Sequence, residues 1–499
     1  MMKYRRHMKR WGSTRPRSDW AHPRPETTLF PPPSRRDLLS FSIGGLSSAA
    51  LWTLLNREAS CEVAHGTAAP PRARRVIHFC LTGGYSQVDS FDYKPKLERQ
   101  HGGPIPGDAK PETFFGSAGL LCRPHWQFHR RGESGLWVSD LFPNLARVAD
   151  HLTMIHSMVA DSANHTPATF QQLSGFQANG FPTMGSWLSY GLGNESDELP
   201  TFVVLPDGRS LPSGGAANWG AGFLPAEHQG VRLLGGASPI LDLFPADPID
   251  TAEEMASRRL LASLNRKHQL GRESNPVLQA RIAAYELAAR MQTSVPSATD
   301  LSQETRQTLD AYGVDQAATD DMARRCVIAR RFVERGVRFV QVFAGGCFGG
   351  EPRHGWDSHE DCRTDHQREA DRIDRPIAAL IADLHQSGLL EDTLVLFTTE
   401  FGRTPFANAP QGKMGLGRDH NPEGFTVWMA GGGTRPGIAY GATDDIGWKS
   451  VEKSVTWPDF HATVLHLLGI DHTKLTFYHN GIERRLTNVH GEVIKGVLA

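Results

Sequence analysis

Short apolar segments alternate with longer amphipathic segments along most of this chain, and that alternation constrains the fold more than any other feature of the sequence. Residues 75–81 and 393–398 are short, rich in residues that favour strands and almost continuously apolar, which is typical of strands buried on both faces. Amphipathic patterns of helical length at 322–336 and 367–388 each precede such a segment. The alternation predicts an α/β fold with a doubly wound, mostly parallel sheet.

The same reasoning predicts six strands and five helices. The strands are expected at 75–81, 152–158, 201–205, 337–343, 393–398 and 425–430, and the helices at 143–151, 168–173, 322–336, 367–388 and 457–468. Residues 252–312 differ, because charged side chains are interleaved with Leu and Ala over a long stretch. We predict that they form a helical insertion within one domain that spans 74–499.

The first 36 residues are strongly basic, with ten Lys or Arg against two acidic residues. Arg35 and Arg36 then precede a moderately apolar segment, 40–55. This layout is typical of a twin-arginine signal peptide, and the apolar segment is too short and too weakly apolar for a stable transmembrane span. The alternative is a basic disordered tail followed by an amphipathic helix.

The signal peptide interpretation predicts a basic disordered arm at 1–33 and a signal at 34–66. It also predicts a periplasmic or otherwise exported protein that engages the twin-arginine export machinery. Cleavage after Gly66 would leave five cysteines without a CxxC pair, which argues against a zinc ribbon or a disulfide scaffold. Cys347 and Cys362 are consistent either with a disulfide or with two unrelated thiols.

Composition excludes nucleic acid as a partner. The formal net charge is −1, and no basic stripe with interleaved aromatic residues is present.

Polar side chains follow the predicted strands at the edge where open α/β sheets bind ligands. Asp357 and His359 follow strand 337–343, Glu400 lies just beyond strand 393–398, and His420 comes twenty residues later. Their oxygen and nitrogen atoms suit Zn²⁺, Mn²⁺, Mg²⁺ or Ca²⁺, so they predict a divalent metal site. The alternative is a set of surface side chains satisfied by solvent.

A second candidate feature precedes the helix predicted at 168–173. Asn164, His165 and Thr166 would lie at its N-terminus, with Pro167 in the first turn. This arrangement is consistent with an anion pocket that contains a nucleophile or proton donor, and equally with an ordinary N-cap formed by Asn164 or Thr166.

Several motifs in this order resemble one family. They are Arg35-Arg36, the run from Leu81 to Asp92, Asn164 to Pro167, Trp356 to His359, Thr399 to Pro405, and Gly417 to Pro422. The chain resembles the exported bacterial family named for domain of unknown function 1501, which is abundant in planctomycetes. That family is itself similar to the alkaline phosphatase and sulfatase superfamily, which implies a doubly wound α/β fold with metals at the strand ends.

The resemblance implies a nucleophile position and an anion-binding position in the helix that follows the second strand. His165 stands at the nucleophile position, and Thr169 stands where the superfamily has an arginine. The paired acids after the first strand correspond to Gly83 and Gly84, so these ligands are missing unless Asp89 reaches the site.

The resemblance also implies metal ligands at the later strand ends. At Glu400-Phe401 the acid of an Asp-His pair remains and the imidazole is lost. By contrast, Asp357, His359 and His420 match the separated Asp, His and His of one phosphatase-type metal site. The resemblance therefore implies one metal rather than two.

These residues predict a metal-dependent hydrolase of sulfate or phosphate esters, acting on a sulfated polysaccharide or another anionic ester. The candidate metal ligands are Asp357, His359, His420, Glu400 and Asp89. The candidate catalytic residues are His165, Thr166, Glu400 and Arg403. The candidate substrate-binding residues are Ser86, Gln87, Asn164 and Arg418. Two alternatives remain: a degenerate member that binds anionic glycans or assembles with envelope proteins, and a purely structural envelope protein.

Overall fold

The computed structural model describes residues 70–107, 111, 113–116, 118–233, 250–272, 275–345 and 355–499. The predicted arm and signal at 1–66, and Cys347 with its predicted pairing, lie outside the described residues.

An eight-stranded sheet forms the centre of the fold. Its strands are β1 (Arg75–Leu81), β2 (Leu152–Met158), β3 (Phe202–Leu205), β4 (Val231–Arg232), β5 (Phe339–Ala344), β6 (Thr393–Thr399), β7 (Phe425–Ala430) and β8 (Ile438–Tyr440). Their spatial order is β8-β2-β7-β6-β1-β5-β3-β4. Every neighbouring pair is parallel except the two pairs that include β7. The predicted α/β fold with a mostly parallel sheet is confirmed.

The reversed direction of β7 follows from the connection that precedes it. A parallel return requires a crossover of a dozen or more residues, usually a helix. Between β6 and β7 the chain instead forms a hairpin of two strands, Gly402–Ala407 and Arg418–Asn421. Because no helix carries the chain across the sheet, β7 pairs antiparallel with β6.

Ten α-helices are present in the described residues. They are α1 (Gln87–Ser90), α2 (Pro95–Arg99), α3 (His165–Ser174), α4 (Met184–Leu192), α5 (Thr251–Gln269), α6 (Pro276–Thr299), α7 (Arg306–Tyr312), α8 (Asp320–Glu334), α9 (Cys362–Gln386) and α10 (Trp457–Leu467). Short 3-10 helices cover Leu145–His151, Gly215–Trp219, Ala226–His228, Leu301–Gln303, Leu389–Glu391 and Lys495–Val497. Small two-stranded hairpins pair Phe128–Arg131 with Leu136–Ser139, Ala442–Thr443 with Ser450–Glu452, and Phe477–His479 with Ile482–Arg484.

The helices cover both faces of the sheet, so the core has two layers. Along β1, Ile77 and Phe79 pack against one layer, which includes α8 and α9. Val76 and Cys80 face the other layer, which includes α4 and α10. Alternate side chains of one strand are therefore buried on opposite faces, which explains why the strands are continuously apolar.

The predicted bounds of β1, β2 and β7 agree with the structure, and the other predicted strands differ by one or two residues at their ends. Helix α3 begins at His165, three residues before its predicted start, so His165 belongs to the helix. The segment predicted as a helical insertion contains α5, α6 and α7. No helix among the described residues has the length and apolar character needed to cross a membrane.

Candidate metal centre

The direction of β7 brings the candidate site together. The residues before an antiparallel strand lie at the same edge of the sheet as the residues after its parallel neighbours. His420, which precedes β7, therefore lies at the edge where Glu400 follows β6 and Asp357 follows β5. His165, in the first turn of α3, reaches the same edge from the connection after β2.

One carboxylate oxygen, Oδ1 of Asp357, is the centre of this cluster. It lies 2.8 Å from Nε2 of His359, 3.2 Å from Nε2 of His420 and 3.4 Å from Nε2 of His165. Nε2 of His420 is also 3.0 Å from Nε2 of each of the other two histidines. All three histidines are at least nine-tenths buried. Three imidazole nitrogens and one carboxylate oxygen thus converge on one point.

The hydrogen bonds on the far side of two imidazoles fix their tautomers. Nδ1 of His420 lies 2.6 Å from the carbonyl oxygen of Ala163, which can only accept, so this nitrogen carries a proton. Nδ1 of His165 lies 2.7 Å from Oε1 of Glu400 and donates to it. In their neutral forms both rings therefore direct an Nε2 lone pair toward the other at 3.0 Å. A cation between them, either a proton or a metal ion, removes this repulsion.

The pKa shifts match this arrangement. Burial disfavours charge on His165, but hydrogen bonds to Asp357 and Glu400 outweigh it and raise its pKa. Burial lowers the pKa of His359, and lowers that of His420 well below its ordinary value. Burial also opposes ionisation of Asp357, yet the neighbouring imidazoles and the charge of Arg403 hold its pKa far below its usual range. Of the three imidazoles, His165 is thus the one whose pKa is raised above the ordinary value of histidine.

The donor set discriminates among metals. Two overlapping groups have the spacing of metal ligands: His165, Asp357 and His420, and His359, Asp419 and His420. Ligands of a tetrahedral zinc ion are roughly 3.3 Å apart, given metal to ligand distances of about 2.0–2.1 Å. Three imidazoles suit zinc or iron, whereas Mg²⁺, Ca²⁺ and Mn²⁺ prefer oxygen ligands. The residues present therefore fit a nitrogen-binding transition metal.

Glu400 supports this cluster through a hydrogen bond with His165. Oε1 accepts from His165 and from the backbone N–H of Gly83 at 2.7 Å, and Oε2 accepts from Oγ1 of Thr399 at 3.1 Å. Both oxygens of this fully buried carboxylate are engaged, so Glu400 orients His165. It does not occupy a ligand position as the sequence had predicted, nor does it face a substrate as a base.

Phe401 occupies the space where the resemblance had implied a second imidazole. Its ring centroid lies 4.4 Å from that of His420 and 4.8 Å from that of His165, and the side chain is fully buried. An apolar ring in this position cannot ligate a metal ion.

Arg403 is fully buried and engages every nitrogen of its guanidinium with the protein. Nε donates to the carbonyl of Gly84 at 2.7 Å, and Nη1 donates to that of Arg418 at 3.2 Å. Nη2 donates to the carbonyl of Gly83 and to Oδ1 of Asp357, the latter at 2.9 Å. The geometry therefore supports a positioning role and not the predicted anion clamp.

Arg418 and Asp89 form a separate, fully buried ion pair at 2.7 Å. The other two guanidinium nitrogens of Arg418 donate to backbone carbonyls, including that of Thr404 at 3.1 Å. The Asp89 carboxylate also accepts from the hydroxyl of Ser86 and the backbone N–H of His125. Asp89 thus does not reach the cluster, and Arg418 has no nitrogen left for a substrate.

The remaining predicted substrate-binding and catalytic residues support the backbone. The buried side chain of Gln87 accepts from the N–H of Arg403 and donates to its carbonyl. Asn164 is the N-cap of α3 and accepts from the N–H of Thr166 at 3.3 Å. The hydroxyl of Thr166 lies 2.6 Å from that of Ser213.

The sequence analysis missed three residues at the site. The buried carboxylate of Asp419 accepts from the N–H of His420 at 2.8 Å and from that of Phe115 at 3.0 Å. Phe114 and Phe115 contact the histidines of the cluster. Asp419 lies within a motif already noted, but nothing in the local sequence distinguishes the two phenylalanines.

A comparison with models of protein families shows which family the chain belongs to. The model described as "Protein of unknown function (DUF1501)" matches residues 73–498. The chain belongs to this family. The predicted family is therefore confirmed, and no curated protein matches the sequence.

Several solved structures are also similar to this DUF1501 chain. The PsFucS1 sulfatase from Pseudoalteromonas sp. is 14% identical, with 88% of this chain and 77% of that chain covered and a TM-score of 0.33. The lipoteichoic acid synthase LtaP from Listeria monocytogenes is 9% identical, with coverage of 84% and 78% and a TM-score of 0.33. The phosphonate monoester hydrolase SpPMH from Silicibacter pomeroyi is 10% identical, with coverage of 66% and 68% and a TM-score of 0.32.

Two glycines of the DUF1501 chain leave room for the loop that carries Asp357 and His359. Gly83 has a φ of +115°, and a Cβ there would lie 2.4 Å from the backbone nitrogen of Asp357. A Cβ on Gly417 would lie 1.7 Å from the carbonyl oxygen of His359. Both contacts involve backbone atoms, so no side-chain rotation can relieve them.

We expect Gly417→Ala to lower the free energy of unfolding by about 1–3 kcal/mol or more, because the new methyl group must displace the backbone at His359. Gly415→Ala is the matched control, since its Cβ would meet its nearest neighbour at 3.5 Å and its φ is not in the left-handed region. That variant should change stability by no more than about 1 kcal/mol. Urea denaturation measures both, and equal stability of the two variants would contradict the close packing.

Proposed function

We propose that this protein binds one divalent transition-metal ion through His165, Asp357, His359 and His420, and that it hydrolyses a phosphate or sulfate ester there. The observation that carries the proposal is the pair of Nε2 lone pairs of His165 and His420, which face each other at 3.0 Å beside a carboxylate. A bound metal would polarise the ester and lower the pKa of a coordinated water, which would serve as the nucleophile.

The charges around the cluster support a divalent ion. Asp357, Glu400 and Asp419 are carboxylates, and Arg403 is paired with Asp357, so two negative charges remain unmatched among these four side chains. Burial makes unmatched charge costly, and a divalent cation would neutralise it.

The chain's own residues hold the donor atoms in place. Glu400 keeps a proton on Nδ1 of His165, and the carbonyl of Ala163 keeps one on Nδ1 of His420, so both Nε2 atoms stay available. Arg403 holds Asp357 ionised and ties it to the turn at Gly83 and Gly84.

We expect the purified protein to bind close to one equivalent of zinc or iron. His420→Ala and Asp357→Ala should each weaken binding at least about 100-fold, and Glu400→Gln about 10–100-fold, because it acts through His165. Phe401→Leu is the control, since neither side chain can ligate. Elemental analysis and titration with a chelator measure the affinity; unchanged metal content in both ligand variants would contradict the proposal.

Metal affinity should fall on acidification. The pKa of His165 is raised, so a proton competes with the metal for this ring at a higher pH than for an ordinary histidine, whereas burial lowers the pKa values of His359 and His420. Affinity should therefore fall up to tenfold per pH unit below the pKa of His165. Calorimetry in buffers of different ionisation enthalpy should show about one proton released per metal below that pKa, and affinity independent of pH from 5 to 8 would contradict this.

A second function, metal-dependent binding of an anionic glycan without turnover, is favoured by one observation. Both arginines near the site are fully engaged with the protein, and the residue at the nucleophile position, His165, lies among the candidate ligands. Among the residues that the structure describes, the site thus contains neither a free guanidinium nor a hydroxyl nucleophile at the position that the resemblance implied.

Turnover separates the two functions. A panel of aryl and sugar phosphates and sulfates should be hydrolysed by the metal-loaded protein, and the rate should drop at least about 100-fold in His420→Ala while Phe401→Leu retains it. Saturable metal-dependent binding of these ligands without any hydrolysis would favour the binding protein instead.

We also propose that the protein is exported through Arg35 and Arg36, and that it acts on polysaccharide outside the cytoplasm. The basic arm followed by a twin arginine and a weakly apolar segment supports this. Changing both arginines to lysine should retain the precursor in the cytoplasm, as measured by fractionation and immunoblotting. Normal export of the double variant would refute the assignment, and single lysine variants provide the matched controls.

A further inference from the structure

Two adjacent aromatic side chains are exposed beside the metal centre. Phe114 is 45% exposed and Phe115 is 57% exposed. Single exposed apolar side chains are common on protein surfaces and require no explanation. Here two large rings are neighbours, and each also touches a candidate metal ligand.

The two rings meet at nearly a right angle beside the cluster, and together they form an aromatic corner. Their centroids lie 5.0 Å apart and their planes meet at 87°. Phe114 lies 4.8 Å from the ring of His420 at an interplanar angle of 33°, and Phe115 lies 4.6 Å from the ring of His359 at 82°. A molecule that reaches the Nε2 atoms of these histidines therefore passes next to an exposed aromatic surface.

Hydrogen bonds hold this corner to the site. The backbone N–H of Phe115 donates to the buried carboxylate of Asp419 at 3.0 Å, and Asp419 directly precedes His420. The N–H of Gly116 donates to the carbonyl of Thr113 at 3.1 Å, which closes a turn. The position of the rings is thus coupled to the backbone that carries a candidate ligand.

Further exposed apolar side chains lie in the neighbouring loop. Met414 is 42% exposed and Leu416 is 51% exposed, and both lie in the loop that joins the strands Gly402–Ala407 and Arg418–Asn421. The N–H of Leu120 donates to the carbonyl of Lys413, which joins that loop to the segment that follows the two rings. Two further exposed apolar side chains therefore belong to a loop that is hydrogen-bonded to the segment after the two rings.

We propose that Phe114 and Phe115 form a subsite for the ring of the substrate, so that the protein prefers esters carried on a ring with an apolar face over esters of open-chain alcohols. The inference rests on the proposed metal centre, because the oxyanion of the ester must bind there for the ring to reach the corner. A ring with an apolar face, either an aryl group or a pyranose, can stack on one phenylalanine and contact the edge of the other.

Binding of phosphonates to the zinc-loaded protein tests this subsite independently of turnover, because the C–P bond is not an ester. Phenylphosphonate should bind about tenfold more tightly than methylphosphonate, the effect of one or two aromatic contacts. Cyclohexylphosphonate, whose ring is saturated, indicates whether a non-aromatic ring is accepted. Competition by glucose 1-phosphate but not by glycerol 3-phosphate would identify a sugar ring, and competition by neither would identify an aryl group.

Substitution of the rings provides the second measurement. The double variant Phe114→Ala and Phe115→Ala should lose the tenfold preference, while its affinity for methylphosphonate changes less than about twofold. Tyr478→Ala is the control, since Tyr478 is also exposed, at 44%, but belongs to a different hairpin. Zinc content should be unchanged in both variants.

The outcomes separate this subsite from the proposed hydrolysis. Equal affinity of the parent protein for phenyl- and methylphosphonate, or a preference retained in the double variant, would overturn the subsite. Loss of zinc from the double variant would overturn it as well, because the rings would then serve to hold the histidines. If the parent protein prefers phenylphosphonate but hydrolyses no ester, the proposed hydrolysis is contradicted and the subsite is not.

Discussion

The buried guanidinium of Arg403 joins the separate loops of this structure. Its nitrogens donate to the carbonyls of Gly83 and Gly84 after β1, to Asp357 after β5, and to Arg418 in the hairpin before β7. A buried charge is tolerated only when it is paired and fully hydrogen-bonded. The loops must therefore keep the positions that satisfy Arg403, and those positions bring the candidate ligands together.

The site also depends on the reversed strand β7. Because β7 runs against its neighbours, the segment before it faces the edge where the parallel strands end, and His420 joins ligands that follow other strands. The same edge accommodates Phe401, whose ring fills space between His165 and His420. One connection without a crossover helix thus brings His420 to this cluster and places Phe401 beside it.

The chemistry available at the centre follows from how its described side chains are engaged. Arg403 and Arg418 are paired with other parts of the protein, and Glu400 orients His165. The imidazole nitrogens converge beside two exposed aromatic rings. A metal ion would then supply the positive charge that an anionic substrate requires, and the exposed rings would contribute contacts to the rest of the substrate.

The sequence by itself determined the fold class, most strand positions and the chemical nature of the site, because apolar periodicity and short polar motifs are local properties. It placed Asp357, His359 and His420 together at the strand ends. Only the tertiary structure decided that His165 points among these residues and that Glu400 supports it. It also decided that Asp89 pairs with Arg418 far along the chain. These outcomes depend on contacts between side chains that are hundreds of residues apart in the sequence. Competition for buried hydrogen-bond partners decides which side chains pair, and no local sequence pattern records that competition.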